Sequence, residues 1–244
     1  MEVKEAFDKY VSDFDFKVDG IEYKYYHSYR VQKYSEKISD MLNLGLKDKK
    51  LASDIGLLHD IGRFHQLEKY NSFCDKKFDH ADYGAKILFE DNLILNYDIN
   101  KCDYEIVKKA IRNHNKYQIE DGLNERELFF AKLVRDADKI DILNAFSSIR
   151  VLEICECDEE ISPSVREEFF NNITVRNVNV KNKNDKIISM LAFLFDINFE
   201  VSYRIIKEED FINKFYDAIK HKEIFKEYFD YANKYLDEVL KNVR

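Results

Sequence analysis

Apolar residues recur at intervals of three and four along most of the chain, the spacing that places them on one face of an α-helix. A single proline and six glycines in 244 residues leave few of the residues that separate strands, so the sequence predicts an all-α protein. The predicted helices cover residues 2–12, 26–43, 48–64, 79–91, 101–115, 125–146, 147–155, 164–173, 185–195, 199–219 and 221–241.

One segment departs from this spacing. Between Asn171 and Asn184, Val and Ile alternate with Asn, Arg and Lys, a pattern compatible with a short strand pair or with a loop. We prefer the loop. Since no internal repeat, Gly/Ser linker or low-complexity stretch divides the sequence, we expect residues 1–244 to form a single domain.

The net charge of −8, without a long basic block, argues against a nucleic-acid duplex as partner. A small anionic substrate is compatible with this negative charge if a metal ion and nearby cationic side chains bind it. No signal sequence is visible, and the apolar run from Ile187 to Phe195 is too short to span a bilayer, which predicts a soluble, cytoplasmic protein without a membrane partner. Cys155 and Cys157 are expected to be ordinary reduced thiols.

The dipeptide His59-Asp60 lies in the otherwise apolar run from Leu51 to Phe64. An imidazole and a carboxylate together suit a borderline divalent metal. Burying both would be costly without charged or hydrogen-bonded partners. We therefore expect the chemistry of the protein at this dipeptide.

Further histidines and an acidic cluster complete a spaced pattern: His27 in HSYRV, His59-Asp60 in LLHDIGRF, His80 in DHADYG, His114 in IRNHN and Asp138 in RDADKID. The pattern resembles the HD superfamily of metal-dependent phosphohydrolases. The HDIGRF and RDADKID flanks are similar to those of a bacterial subgroup whose substrates are mostly unassigned. The resemblance implies an HD core at about residues 22–150, with residues 151–244 as a helical extension packed on it.

The resemblance also implies a metal site made of His27, His59, Asp60 and Asp138. Two imidazoles and two carboxylates leave open positions on a divalent ion for water and phosphate oxygens. The site would hold one ion, or two ions, of Mn, Fe, Co, Ni, Mg or Zn.

Helical periodicity alone does not select Asp138, because Asp136 and Asp141 lie nearer the centre of the apolar arc of the helix at 125–146. Asp136 is therefore an alternative ligand. Asp136 and Asp141 are also candidates for orienting a histidine ligand, and Asp141 could equally be a surface charge.

Roles for the remaining polar residues stay open. His80 and His114 could hold a second metal, act as catalytic acid or base, contact the substrate, or be structural. Asn115 stands where HD-GYP proteins carry another histidine, which argues against a cyclic-dinucleotide phosphodiesterase of that kind. Arg63 and Lys139 are candidate phosphate-binding residues, and Arg63 could instead be a surface charge near a helix end.

The leading functional hypothesis is an enzyme that hydrolyses a phosphate ester or anhydride of a nucleotide or small phosphorylated metabolite, with metal-activated water. A nucleotide-binding sensing module with little turnover is the alternative, and a helical scaffold with accidental motifs is a third. The amphipathic helices after residue 185 are compatible with completing a monomer core or with a homodimer face.

Overall fold

A computed structural model describes residues 2–75, 78–146 and 159–242. These residues form helices, turns and loops, and no strand occurs among them. The prediction of an all-α protein is therefore confirmed. No helix in the described part of the chain is long and apolar enough to cross a membrane.

Within the described ranges the helices follow one another in chain order, joined by turns and by three short 3₁₀ segments. They are α1 (Val3–Val11), α2 (Ile21–Met41), α3 (Leu46–Leu58), α4 (Ile61–Tyr70), α5 (His80–Phe89), α6 (Tyr104–Asn113), α7 (Glu125–Phe146), α8 (Pro163–Phe170), α9 (Lys183–Leu191), α10 (Glu200–Glu208), α11 (Phe211–Ala218) and α12 (Lys222–Asn242). The 3₁₀ segments are Leu93–Asn96, Lys101–Asp103 and Ala192–Asp196.

Most predicted helices correspond to observed ones, but two are split. The segment 48–64 breaks at Asp60, whose backbone leaves the helical region (φ −102°, ψ 17°). The segment 199–219 breaks at Asp210, which takes a left-handed conformation (φ 56°). In both cases the apolar spacing continues across the break, so periodicity alone could not reveal it. The predicted helix 147–155 lies outside the described residues.

The alternating segment after α8 contains turns and irregular backbone, which confirms the loop. It ends in a capping box at the start of α9: the Asn182 side chain accepts from the Asp185 backbone N–H, and the Asp185 carboxylate accepts from the Asn182 N–H.

The chain divides into two compact units, residues 1–138 and 139–244. In the first, α2 packs along α3, α4 packs on α5 and α5 packs on α6. Its core includes fully buried Phe7, Ile38, Leu57, Phe64 and Val107. In the second, α12 packs against α10 and α11, around Phe215, Phe225 and other buried residues. The single-domain organisation stays a prediction.

Glycine permits the close approach of α4 and α5. A Cβ built on Gly62 would lie 2.2 Å from the carbonyl oxygen of His80 and 2.6 Å from the amide nitrogen of Gly84. Both neighbours are backbone atoms, which cannot rotate away as a side chain does. Gly62 therefore fixes how near the first turn of α5 comes to the His59-Asp60 junction.

We expect the substitution Gly62→Ala to destabilise the protein by about 2 to 3 kcal/mol, because the added methyl group must push the two helices apart. The control is Gly45→Ala, since a Cβ on Gly45 meets nothing within 4 Å and its φ is −68°. The control should cost less than about 1 kcal/mol, the effect of losing a glycine N-cap. Free energies of unfolding from urea titration compare them, and equal losses would contradict the assigned packing.

Candidate metal centre

Six of the candidate residues come together inside the first unit, each delivered by a different part of the fold. His27 lies in the middle of α2, His59 and Asp60 form the junction between α3 and α4, His80 is the first residue of α5, His114 follows the last residue of α6, and Asp138 lies on α7. The four histidines and Asp60 are buried, and Asp138 retains 14% of its side-chain exposure.

One set of ligand atoms surrounds Asp60 Oδ2. His27 Nε2 lies 3.4 Å and His59 Nε2 3.5 Å from this oxygen, and the two nitrogens are 3.2 Å apart. Two atoms each about 2.1 Å from a shared ion are about 3.0 Å apart at a right angle and about 3.4 Å apart at a tetrahedral angle. The spacing of this set is therefore that of ligands to one metal ion.

Asp138 joins the same set. Its Oδ1 lies 3.2 Å from His27 Nε2 and 3.6 Å from His59 Nε2. Asp136, two residues earlier on α7, is fully buried and lies about 200° around the helix, so the two side chains leave it on different faces. The geometry thus favours Asp138 over Asp136 as a ligand.

The second set surrounds the other oxygen of the same carboxylate. Asp60 Oδ1 lies 3.0 Å from His80 Nε2 and 3.4 Å from His114 Nε2, and these nitrogens are 3.0 Å apart. The groups His27–His59–Asp60 and Asp60–His80–His114 each have the arrangement that can hold an ion. Asp60 belongs to both, so its carboxylate can bridge two metals.

Hydrogen bonds fix the protonation of three of the imidazoles. His59 Nδ1 lies 2.8 Å from the Gly56 carbonyl oxygen, and His114 Nδ1 lies 2.7 Å from that of Ile111. Because a carbonyl oxygen only accepts, each Nδ1 must carry the proton. His80 Nδ1 likewise donates to Asp75 Oδ1 at 2.7 Å. In the neutral imidazole this leaves the lone pair on Nε2, which faces the centre in all three, as in metal-binding histidines. In His80 this Nε2 accepts a hydrogen bond from Arg63 Nη2 at 3.0 Å, which a metal ion would have to replace.

The carboxylates are held in their charged form. Burial alone would raise the pKa of Asp60, but the neighbouring Lys24 ammonium and the imidazoles outweigh it and keep the pKa well below its usual range. Burial likewise acts to raise the pKa of Asp138, and His27 and His59 lower it well below that range. Charged carboxylates and unprotonated Nε2 atoms are the forms that bind a metal.

A divalent metal fits this donor set. Asp60 Oδ1 is buried and receives no hydrogen bond from the described residues, although two imidazole nitrogens lie close to it. An unsatisfied buried carboxylate oxygen is costly. The Arg63 guanidinium lies on this side, with Nη2 3.0 Å from His80 Nε2, but its Nε is 3.7 Å from Asp60 Oδ1, beyond hydrogen-bond distance. A metal ion would satisfy the oxygen and both nitrogens together.

Two contributors were not identified from the sequence. Lys24 Nζ lies 2.5 Å from Asp60 Oδ2, and the signal was its position three residues before His27 on the same helix face. Asp75 orients His80 from the loop before α5, and it also accepts hydrogen bonds from Arg63 Nη1 and Gln66 Nε2. No periodic pattern covers a loop, so Asp75 had no comparable signal.

The candidate phosphate-binding residues have protein partners. Arg63 Nη1 donates to Gln66, to the Phe73 carbonyl and to Asp75, and Nη2 donates to His80 Nε2 at 3.0 Å. Lys139 belongs to the second unit, where its ammonium lies 2.9 Å from Asp196 Oδ2. Asp141, also in the second unit, is fully buried, which excludes a surface charge. The phosphate-binding roles stay predictions.

The fold and the site define a helical protein with two buried histidine sets that share one aspartate. Residues 25–143 match the family model of the HD domain. The match supports the HD superfamily that the motifs predicted, over residues 25–143, and it includes all six converging residues. No curated protein and no solved structure matches the chain.

The buried His114 predicts a pH dependence of the metal-free protein. Burial lowers the pKa of His114 from 6.5 to about 4, so between these values the unfolded chain binds a proton that the folded chain does not. Stability must then fall on acidification. From pH 7 to pH 5 this histidine accounts for a loss of about 2 kcal/mol.

Urea unfolding in the presence of a chelator measures this loss. We expect His114→Gln to lose less stability than the wild type between pH 7 and pH 5, and a His221→Gln control, at an exposed position, to match the wild type. Equal pH dependence in all three proteins would contradict the assignment to His114.

Proposed function

We propose that the protein is a metal-dependent phosphohydrolase with two metal ions at the HD centre. The main support for the proposal is that each oxygen of the Asp60 carboxylate faces its own pair of imidazoles. Two ions held by residues on either side of this carboxylate would supply charge to both the attacking and the leaving oxygen in a displacement at phosphorus.

The chain's own residues would divide the work as follows. His27, His59 and Asp138 would hold the first ion, His80 and His114 would hold the second, and Asp60 would contribute to both. When bound, a divalent metal such as Mn, Fe, Co, Ni, Mg or Zn makes water nucleophilic near neutral pH and withdraws charge from the phosphorus centre.

Ligation is the role that the hydrogen bonds support for His80 and His114. Each has its proton on Nδ1, committed to Asp75 or to the Ile111 carbonyl. In the neutral imidazole the lone pair is then on Nε2, where it can bind an ion. Of the roles left open by the sequence, second-metal ligation fits these contacts best.

The proposed substrate is a phosphate ester or anhydride of a nucleotide or another small phosphorylated metabolite. Asp138, at 14% side-chain exposure, and Lys24, which contacts the first set and is 11% exposed, are partly accessible, so a substrate would approach from their side. The exposed Tyr23 ring stacks parallel to His27 nearby, with ring centres 6.0 Å apart. This surface supports a nucleotide because a base can stack on an accessible ring.

The decisive test is the substitution Asp60→Asn, which removes the bridging charge with little change in shape. We expect kcat/KM to fall by at least about a thousandfold in an assay of nucleotides and a generic phosphate ester with Mn²⁺, since both ions lose a ligand. Asp54→Asn is the control, because Asp54 is another buried carboxylate, on α3, that pairs with Lys50. Full activity of Asp60→Asn would refute the mechanism, and tight nucleotide binding without turnover by the wild type would favour a sensing module.

Metal content tests the division into two sets. We expect about two ions per chain in the wild type and about one after the double substitution His80→Ala and His114→Ala, which leaves the first set intact. Elemental analysis after dialysis measures the ratio. His65→Ala is the control, since His65 packs against the rings of Phe14 and Tyr83 and belongs to neither set. An unchanged ratio in the double variant would show that these histidines hold no metal.

A further inference from the structure

The Lys24 ammonium contacts one of the atoms that would bind the first metal ion. Its ammonium lies 2.5 Å from Asp60 Oδ2, the oxygen that His27 and His59 also face. Among the described residues, Asp60 is the hydrogen-bond partner of this ammonium. The pair is buried, with 11% of the Lys24 side chain and 2% of the Asp60 side chain exposed. Lys24 therefore supplies positive charge to Oδ2 by a direct hydrogen bond, whereas Arg63 Nε lies 3.7 Å from the other oxygen, Oδ1.

A divalent ion held by this set would compete with Lys24. Both would draw on the negative charge of Oδ2, and two cations a few ångströms apart repel strongly away from bulk water. A lysine ammonium sits on a flexible four-carbon stem, so it can move without any change in the helix. Arg63, the other cation at the centre, is instead fixed through Gln66, Asp75 and the Phe73 carbonyl.

The surroundings of Lys24 offer a second position for the ammonium. Nζ lies 5.9 Å from the ring centre of Tyr23 and 5.9 Å from that of Phe73. These rings are 40% and 49% exposed, so they lie between the buried pair and solvent. An ammonium that leaves Asp60 toward them keeps favourable contact with aromatic faces and stays beside the approach to the centre.

We propose that Lys24 is the counter-cation of Asp60 in the metal-free protein, and that it yields Asp60 to the metal and then binds the phosphate of the substrate. The inference rests on the proposed function for its metal and its phosphate. Lys24 would thus neutralise Asp60 when no metal is bound, and afterwards supply the first positive charge that an incoming phosphate meets.

Two affinities test this proposal on chelator-treated, full-length protein by titration calorimetry. The first is that of Mn²⁺ alone, and the second is that of inorganic phosphate for the Mn²⁺-saturated protein. The variants are Lys24→Met, which keeps the length but removes the charge, Lys24→Gln, in case the first variant does not fold, and Lys24→Arg, which keeps the charge. Lys50→Met is the control, because Lys50 pairs with the buried Asp54 on α3.

We expect Lys24→Met and Lys24→Gln to bind Mn²⁺ about tenfold more tightly, since the competing ammonium is gone, and to bind inorganic phosphate about tenfold more weakly. The thermal midpoint of the metal-free variants should fall, and added Mn²⁺ should remove most of the difference from the wild type. Lys24→Arg should stay near the wild type in both affinities, and Lys50→Met should change neither.

The opposite signs of the two effects distinguish this role from a structural ion pair. Unchanged or weaker Mn²⁺ binding by the uncharged variants would overturn the competition, and unchanged phosphate binding would overturn the second role. If the wild type binds Mn²⁺ but hydrolyses no phosphate ester, the proposed function fails while the two affinities still decide the role of Lys24. If the two affinities contradict the role of Lys24 while the wild type hydrolyses a phosphate ester, the proposed function stands.

Discussion

The buried charge of Asp60 is the constraint on which the rest of the centre depends. A carboxylate removed from water must be matched by positive charge or by hydrogen bonds, and the cost of leaving it unmatched exceeds that of most single contacts in a protein. The Lys24 ammonium donates a hydrogen bond to one oxygen of Asp60, and imidazole nitrogens lie close to both oxygens. The same demand explains how a pair so polar can occupy an otherwise apolar core and why the centre suits a cation.

The fold meets this demand through junctions between helices. The break between α3 and α4 turns His59 and Asp60 out of the continuous helix that the apolar pattern suggests. Gly62 and Gly84 let α5 approach that junction, so that His80 reaches Asp60. Asp75 and the Gly56 carbonyl then fix the orientation of the imidazoles. Packing and hydrogen bonding thus act on the same few residues, and a substitution at a buried glycine would displace the candidate metal ligands.

Much of this could be predicted from the sequence, because both the helices and the HD motifs are local patterns. The helix at 125–146 has the predicted bounds, and the motif residues His27, His59, Asp60 and Asp138 meet. Helical periodicity along α7 did not select Asp138, because it indicates which residues are buried, whereas the Asp138 side chain stays 14% exposed. Lys24 and Asp75 act through tertiary contacts, which a single sequence does not display.

The helix ends at the centre have a consequence for the charges that it can attract. His59 directly follows the last residue of α3 and His114 the last residue of α6, and each donates to a carbonyl of the final turn. At the same centre, α4 begins directly after Asp60 and α5 begins at His80. Peptide dipoles place partial negative charge at the carboxyl end of a helix and partial positive charge at the amino end. The backbone around the centre therefore offers a cation and an anion each a helix end of opposite partial charge, so both kinds of ligand are attracted before any side chain moves.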